Sequence, residues 1–294
     1  MKIAIVGANG FLASNFITKG LTSNQHYIVK FSHSCTDSES TFIDVLDLVS
    51  IQNVFELREF DLIINFAGRL SPIDKIGDDL NRLSSLNLAN VLKSIGKPAT
   101  LLHLSSSLES DDFNTESDYA LSKSFGTRNL LDATLDSNVG VIIVKVHNVI
   151  GRDQNQRKLL ATLINHATLG LSISLDYPNR IRDFVWVGDF AEALWQIVDD
   201  FDFSARNQSA LLGEHQAVRQ IDWEIGTGIG TKIYDLAIEI YERLGRREDL
   251  VSYAVPEEIN DIFEVCIADT SSTRSIRCTT SLGDILDKMI GAQL

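Results

Sequence analysis

The amino-terminal residues carry the pattern that constrains the fold most, a short apolar strand that runs through a glycine-rich turn into a helix. Residues 1–6 are apolar and rich in β-branched side chains, and residues 11–19 have helical spacing. Gly7 and Gly10 lie between them, where bare backbone lets a pyrophosphate approach the amides at the start of the helix. Such glycines can also be needed only for the backbone conformation of a turn. The position of this turn, one strand from the amino terminus, favours a dinucleotide site.

The rest of the chain continues the alternation of strands and helices. Strand-like runs follow at residues 27–31, 61–66, 100–104 and 141–146, with helical patterns between them. This order predicts an α/β fold with a Rossmann-type, doubly wound parallel sheet. After about residue 148 the alternation weakens, which predicts a smaller C-terminal substrate-binding domain. We expect residues 1–147 with 181–223 to form the dinucleotide-binding domain, and residues 148–180 with 224–294 to form the substrate-binding domain.

Composition excludes several classes of function. The formal net charge of −14, with no run of Lys or Arg, argues against a nucleic-acid partner. Apolar runs of strand length predict no membrane partner, and the amino terminus lacks the features of a secretory signal, so we expect a cytoplasmic protein. Cys35, Cys266 and Cys278 are scattered, and the histidines lack ligand spacing, so we expect no metal.

One Tyr-x-x-x-Lys pair suggests proton-transfer chemistry. Tyr119 and Lys123 are four residues apart, which places both side chains on one face of a helix. A nearby ammonium lowers the pKa of a phenol and makes it a usable proton donor or acceptor. The pair follows a triplet of serines, residues 105–107, at the end of a predicted strand.

In this order, the motifs resemble the extended short-chain dehydrogenases/reductases, the group that includes nucleotide-sugar epimerases, dehydratases and ketoreductases. The similarity covers nearly the whole chain and includes Asp44-Val45, Asn65-Phe66-Ala67-Gly68 and the helix that begins near Asn81. It implies that Ser106, Tyr119 and Lys123 are catalytic, with Ser106 orienting the reacting oxygen and Lys123 also holding the nicotinamide ribose. The implied cofactor-binding residues are Gly7, Asn9, Gly10, Phe11, Leu12, Ser32, His33, Asp44, Val45, Phe66, Ala67, Gly68, Asn81, Tyr119 and Lys123.

The end of the second strand bears on the choice of cofactor. An acidic residue there binds the ribose 2′-hydroxyl of NAD, and its absence leaves room for the 2′-phosphate of NADP. The sequence reads Phe31-Ser32-His33-Ser34, without a carboxylate. This favours NADP(H) as the cofactor, and NAD remains possible because no arginine is present to bind the phosphate.

The resemblance also implies substrate-binding residues. Asn148 corresponds to an asparagine that contacts the nucleotide-sugar, and Ser107 lies beside the catalytic hydroxyl. Arg182 begins a segment, residues 182–189, that is close to a family signature whose arginine pairs with the substrate diphosphate; a guanidinium can donate two parallel hydrogen bonds to phosphate oxygens. The structural alternative is a salt bridge from Arg182 to Asp183 or another neighbouring acid.

These residues lead to one main hypothesis and two alternatives. The resemblance favours an NADP(H)-dependent reductase of a nucleotide-activated 4-keto-6-deoxy sugar. A nucleotide-sugar epimerase with tightly bound NAD and a non-catalytic dinucleotide-sensing regulator remain open. A dehydratase is disfavoured, because Ser106 is followed by Ser107 and Leu108 rather than by an acidic pair, and we expect Glu109 and Asp111-Asp112 to lie in an exposed loop. The resemblance further implies a homodimer, with an interface that includes the helix of Tyr119.

Overall fold

Alternating strands and helices build an α/β fold. The computed structural model describes residues 1–21, 25–35, 38–69, 75–97, 99–109, 117–135, 137–154, 158–212, 221–253 and 265–291. The strands are β1 (Lys2–Val6), β2 (Tyr27–Ser32), β3 (Ser40–Phe42), β4 (Leu62–Asn65), β5 (Ala99–Ser106), β6 (Val139–Val146), β7 (Asn148–Ile150), β8 (Ile173–Leu175), β9 (Ile181–Trp186), β10 (Ile221–Gly226), β11 (Gly230–Lys232), β12 (Val251–Tyr253), β13 (Val265–Cys266) and β14 (Ser275–Arg277). The helices are α1 (Phe11–Gly20), α2 (Leu48–Phe55), α3 (Lys75–Ser94), α4 (Asp118–Thr134), α5 (Leu159–Leu169), α6 (Val187–Leu212), α7 (Ile233–Arg243) and α8 (Leu282–Ile290), with a 3-10 turn at Glu248–Leu250.

A large sheet confirms the predicted Rossmann-type class. Its eight strands have the order β14-β10-β6-β5-β4-β1-β2-β3. Pairing is parallel from β3 through β2, β1, β4 and β5 to β6. The order reverses between β1 and β4, and ligands of open α/β sheets bind at the carboxyl ends of the strands near such a point.

The chain divides into two compact units. The first comprises Met1–Val146 and Ala191–Glu224, and the second comprises His147–Phe190 and Ile225–Leu294. Residues 181–190, which were expected in the first domain, belong to the second unit. The roles assigned to the two domains remain predictions.

The first unit is held together by apolar strands between helices. All four residues of β4 are buried, and a core formed by Phe31, Phe55 and Phe60 packs beneath the sheet. Helix α4 approaches α3 closely at Gly126, where an added Cβ would lie 2.2 Å from the carbonyl oxygen of Asn81. This glycine therefore brings α4 against α3, and with it the Tyr119 helix against the helix of Asn81.

The second unit has its own core. The apolar faces of α5, α7 and α8 cover Phe184 on β9. Its strands form a four-stranded sheet, in which β9 pairs with β7, β11 and β13, and a two-stranded sheet of β8 and β12. Among the residues that the structure describes, no helix has both the length and the apolar character needed to cross a membrane.

Candidate active site

The turn between β1 and α1 brings backbone rather than side chains to the carboxyl end of the sheet. Gly7 has φ +77°, and a Cβ there would lie 2.9 Å from the backbone nitrogen of Ala67. The amides of Gly7 and Ala8 donate to the carbonyl of Phe31, which ties the turn to β2. Helix α1 begins at Gly10 without a side-chain cap. Close backbone approach and an open helix start suit a pyrophosphate, so this turn fits the predicted dinucleotide.

The first turn of α1 and the end of β2 place further predicted cofactor residues nearby. Phe11 and Leu12 are half-buried at the start of the helix. The side-chain amide of Asn9 donates to the carbonyl of Ser34. Ser32 is buried, whereas His33 is exposed with its ring 5.6 Å from that of Phe42.

The predicted adenine-contact pair is engaged in local structure. The Asp44 carboxylate accepts a hydrogen bond of 2.9 Å from the amide of Leu46. Val45 is buried in the core, and its carbonyl accepts from Asn87 on α3. The Asp44 side chain therefore caps the turn that leads into α2, and contact with an adenine remains a prediction.

The segment after β4 is positioned by two buried asparagines. Asn65 accepts from the amide of Ala67 at 2.9 Å and donates to Ser84 and Ser85 on α3.

Asn81 exchanges hydrogen bonds with the backbone of Arg69 and donates to Ser122 on α4 at 2.9 Å. Gly68 is required here, because a Cβ would lie 2.9 Å from the amide oxygen of Asn81, and Phe66 packs against Phe16. Asn81 thus connects this segment to the helix that bears Tyr119.

The predicted catalytic residues meet where β5 ends and α4 begins. Ser117 caps α4 and accepts from the amide of Ala120. The Ser106 hydroxyl interacts with the phenol of Tyr119 and lowers its pKa. Lys123, on the same helix face and only 8% exposed, donates to the carbonyl of Leu104 at 2.5 Å. Ser106, Tyr119 and Lys123 are therefore brought together.

The ionisable groups at this site are more than the expected pair of Tyr119 and Lys123, because Glu109 also affects the pKa values of both. Burial raises the pKa of Tyr119, its interaction with Ser106 opposes that shift, and the Glu109 carboxylate adds to it. Burial also lowers the pKa of Lys123, and Glu109 opposes this by favouring the ammonium. The phenol consequently holds its proton more firmly than an ordinary tyrosine.

The prediction that Glu109 lies in an exposed loop is wrong. Its carboxylate turns back onto the end of β5 and accepts a hydrogen bond of 3.1 Å from the amide of Ser106. The ammonium of Lys123 and the hydroxyls of Thr127 and Ser105 each lower the pKa of this carboxyl. Burial raises its pKa, and Lys123 is the largest opposing influence. Asp111 and Asp112, which share the original prediction, lie outside the described residues.

A buried histidine extends this network, and sequence reasoning missed it. The Nδ1 atom of His103 lies 2.7 Å from the hydroxyl of Ser85, and Nε2 lies 3.1 Å from that of Thr127. Burial, with a smaller contribution from Lys123, lowers the pKa of His103 well below its usual value, so its ring is neutral. The spacing from Lys123 to Thr127, one helical turn, was the available signal that Thr127 shares the face of the catalytic pair.

The predicted substrate residues fall in both compact units. Ser107 is half-buried just after β5, and its amide donates to the carbonyl of Val146 in the first unit. Asn148 and Arg182 lie on the paired strands β7 and β9 of the second unit, and Asn148 donates to the carbonyl of Asp183 at 3.4 Å. Arg182 is buried and donates to the carbonyl of Ile181.

The Asp183 carboxylate has a structural role. It accepts hydrogen bonds from the amides of Thr227, Gly228 and Ala268, and from the hydroxyl of Thr227 at 2.6 Å. These contacts account for an acid that is 0% exposed, since each oxygen meets donors. Among the described residues, no group of three or more His, Cys, Asp or Glu side chains could hold a metal ion.

Solved structures of known enzymes share this fold. UDP-glucose 4-epimerase of Thermotoga maritima with UDP-glucose is 18% identical, with a TM-score of 0.74 over 99% of this chain and 98% of that one. Thermus thermophilus UDP-glucose 4-epimerase with NAD is 16% identical, with a TM-score of 0.72 over 99% and 98%. A double mutant of DesIV, a dTDP-glucose 4,6-dehydratase of Streptomyces venezuelae with NAD bound, is 17% identical, with a TM-score of 0.75 over 99% and 96%.

Sequence comparison identifies the family. A search of curated protein sequences gave no match. The model of the NAD dependent epimerase/dehydratase family, in contrast, matches residues 3–213, which include the glycine turn and the Ser106, Tyr119 and Lys123 set. The chain belongs to the NAD-dependent epimerase/dehydratase family and is an enzyme of the short-chain dehydrogenase/reductase type.

Proposed function

We propose that the protein is an NAD(P)-dependent oxidoreductase of nucleotide-activated sugars, and that it reduces the keto group of a 4-keto-6-deoxy sugar nucleotide. The observation that carries the proposal is that Ser106, at the end of β5, lies with Tyr119 and Lys123 of α4, where Lys123 donates to the carbonyl of Leu104 at 2.5 Å. This arrangement offers a hydroxyl and a phenol to one reacting oxygen. Membership of the family supports a nicotinamide cofactor, and the glycine turn fits one.

The charge around Tyr119 bears on the proton that the reaction needs. Its raised pKa keeps the phenol protonated at neutral pH, and a protonated phenol is a general acid. Reduction of a ketone requires a proton donor, because the carbonyl oxygen becomes an alkoxide that must be protonated. Oxidation of an alcohol requires a base at the same position. A protonated phenol at this position is therefore suited to reduction, and the phenolate that it leaves is the base of the reverse reaction.

The residues divide the chemical work. Ser106 donates a hydrogen bond that orients the carbonyl oxygen of the sugar, and Tyr119 delivers the proton to that oxygen. The ammonium of Lys123, on the same helix face, would stabilise the phenolate that remains. When bound, a reduced nicotinamide supplies the hydrogen and electron pair that the carbonyl carbon gains. Gly7, Gly10 and the start of α1 would hold the pyrophosphate of that cofactor.

We infer that NADP(H) is preferred over NAD(H). The end of β2 offers the Ser32 hydroxyl and the exposed imidazole of His33 in place of a carboxylate. A carboxylate would repel a 2′-phosphate, whereas these groups can bond to it. His33→Asp should therefore raise the Kd of NADPH by tenfold or more and leave that of NADH within about threefold, as measured by quenching of protein fluorescence.

On the substrate side, we propose that Ser107, Asn148 and Arg182 bind the nucleotide-sugar. Arg182 is a suitable partner for a diphosphate, because guanidinium donates two parallel hydrogen bonds. Arg182→Lys should then raise KM for a nucleotide-sugar more than it lowers kcat.

An epimerase is the second candidate. It is favoured by the fold shared with two UDP-glucose 4-epimerases over nearly the full length of each chain. An epimerase retains its NAD and returns the hydrogen to the same sugar. Mass spectrometry of the nucleotide that copurifies with the protein separates the two candidates, because retained NAD indicates epimerisation and a site that is empty or holds NADPH indicates reduction.

The decisive assay is oxidation of NADPH with 4-keto-6-deoxy sugar nucleotides. Tyr119→Phe should lower kcat about 100-fold to 10,000-fold through loss of the acid. Tyr27→Phe is the matched control, since Tyr27 is 67% exposed and should keep wild-type turnover. Unchanged turnover in Tyr119→Phe would refute the proton-transfer role, and absence of turnover with every sugar nucleotide and cofactor would favour a dinucleotide-sensing regulator.

Two further properties are proposed on the resemblance alone. We expect a cytoplasmic protein and a homodimer whose interface includes α4. Sedimentation equilibrium tests the dimer directly, since a species of one chain at micromolar concentration would contradict it.

A further inference from the structure

Two neighbouring strands of the large sheet carry buried polar side chains that take no part in the proposed proton transfer. Strands β4 and β5 pair in parallel with Asn65 opposite His103, so both side chains project from the same face of the sheet. Asn65 is 3% exposed and His103 is 2% exposed. An amide and an imidazole are costly to bury without hydrogen bonds, so the partners of these two groups indicate what they do.

The amide of Ala67 fixes the orientation of the Asn65 carboxamide. A backbone N–H can only donate, so the side-chain atom that faces it at 2.9 Å is the oxygen. The side-chain nitrogen of Asn65 therefore faces α3, where it donates to the hydroxyl of Ser85 at 2.8 Å. That hydroxyl also has one proton to donate. Within the part of the chain that the structure describes, the acceptor for this proton is Nδ1 of His103, 2.7 Å away.

These bonds determine the tautomer of His103. Burial, with a smaller contribution from Lys123, lowers the pKa of His103 well below its usual value, so the ring carries a single proton. Because Nδ1 accepts from Ser85, that proton is on Nε2. Nε2 lies 3.1 Å from the hydroxyl of Thr127 on α4 and donates to it. The hydrogen bonds therefore run in one direction, from the end of β4 through Ser85 and His103 to α4.

Each end of this chain of hydrogen bonds meets a part of the candidate site. At one end, the backbone of Ala67 lies against the glycine turn, since a Cβ on Gly7 would lie 2.9 Å from the nitrogen of Ala67. At the other end, Thr127 is one helical turn beyond Lys123 on the same face of α4. His103 thus joins the segment beside the predicted cofactor turn to the helix that carries the catalytic pair.

We propose that His103 is a positioning residue, which as its Nε2–H tautomer holds α4 at a set distance from the segment after β4, so that Tyr119 meets the nicotinamide in the reactive geometry. It acts through Thr127, and the inference rests on the proposed function. A displacement of about 1 Å can lower a rate about 100-fold. The bond of 2.9 Å from Asn81 to Ser122 also attaches α4, so we expect the loss of His103 to lower kcat by about tenfold.

The first test separates kcat from binding. His103→Leu removes both ring nitrogens and keeps an apolar side chain of moderate size. In NADPH oxidation with a 4-keto-6-deoxy sugar nucleotide, kcat should fall about tenfold, whereas KM and the Kd of NADPH should stay within about threefold. Thr127→Val should give the same split, and Thr127→Ser, which keeps the hydroxyl, should restore kcat to within about twofold.

A matched control lies on the same helix. The hydroxyl of Thr134 bonds to carbonyls of α4 itself, so Thr134→Val should keep wild-type turnover. The double variant of His103→Leu and Thr127→Val should be no slower than the slower single variant, because both changes break one bond. A product of the two effects, about 100-fold, would overturn the proposed link, and so would wild-type kcat in either single variant. Thr127→Val provides the measurement if circular dichroism shows that His103→Leu does not fold.

The second test requires no turnover. Nitrogen-15 NMR of protein labelled at histidine should show His103 with its proton on Nε2 near neutral pH, and a proton on Nδ1 would overturn the direction of the chain. Absence of turnover with every sugar nucleotide would overturn the proposed function alone. The response of the Tyr119 ζ-carbon signal to saturating NADPH then decides the role of His103. Thr127→Val should reduce this response at least about twofold, and an unchanged response would overturn the inference.

Discussion

Two acids with little solvent contact, one in each compact unit, are stabilised in opposite ways. Asp183 meets the amides of Thr227, Gly228 and Ala268, which are fixed dipoles that never titrate. Glu109 meets hydroxyls, one amide and the charge of Lys123, whose own proton depends on its surroundings. An acid held by backbone donors therefore stabilises the fold, whereas an acid near another titratable group can shift the pKa values of its neighbours.

The largest expected effect is on the structural acid. Asp183→Asn replaces a carboxylate with a group that has only one acceptor oxygen, so a buried donor is left facing another donor. We expect it to lower the free energy of unfolding by about 3 kcal/mol, since hydrogen bonds to charged groups contribute ~1.5–3 kcal/mol each. Urea unfolding measures this change. A loss of less than about 1 kcal/mol in the free energy of unfolding would contradict the structural role of Asp183.

An intermediate effect on stability is expected when the pH is lowered. It acts through His103, which belongs to the same network as Glu109. His103 has a lowered pKa when folded, so below about pH 6.5 the unfolded chain binds a proton that the folded chain does not. Its contribution to stability is complete above that pH and declines as pH falls, with a slope of up to about 1.4 kcal/mol per pH unit. His103→Asn should flatten the dependence of unfolding free energy on pH between about pH 7 and 5.5. An equally steep dependence in the variant would contradict the neutral, buried state of His103.

The smallest effect on stability is expected at Glu109 itself. Glu109→Gln keeps an acceptor oxygen for the amide of Ser106, and Lys123 can release its proton rather than remain an unpaired buried charge. We expect a change of about 1 kcal/mol in unfolding free energy, well below that of Asp183→Asn. A loss of about 3 kcal/mol or more would show that Glu109, like Asp183, is chiefly structural.

The fold could be predicted where signals are local. Helix α1 covers the residues expected from their helical spacing, 11–19, and continues one residue further, and Gly7 has a positive φ in the turn predicted from two glycines. Strand β5 extends two residues beyond the expected end, to Ser106, because pairing with β6 continues there. Strand ends depend on partners that are distant in sequence, so single-chain patterns define them poorly.

The same difference between local and long-range signals applies to the residues of the candidate site. Tyr119 and Lys123 could be predicted because their spacing is set by one helix. Glu109 could not, because its inward direction depends on the turn after β5 and on Thr127, eighteen residues further along the chain. An acid among polar residues is typical of an exposed loop, and only the packing of α4 against β5 makes this position different.

The proposed mechanism requires above all that Tyr119 is a proton donor when a reduced nicotinamide dinucleotide is bound. NMR of the tyrosine ζ carbons in the NADPH complex, with Tyr119→Phe for assignment, reports this directly. We expect the signal of a neutral phenol for Tyr119 up to at least about pH 8. A phenolate signal from Tyr119 at about pH 7 would mean that the residue acts as a base, and it would contradict the proposed role of Tyr119 as the proton donor.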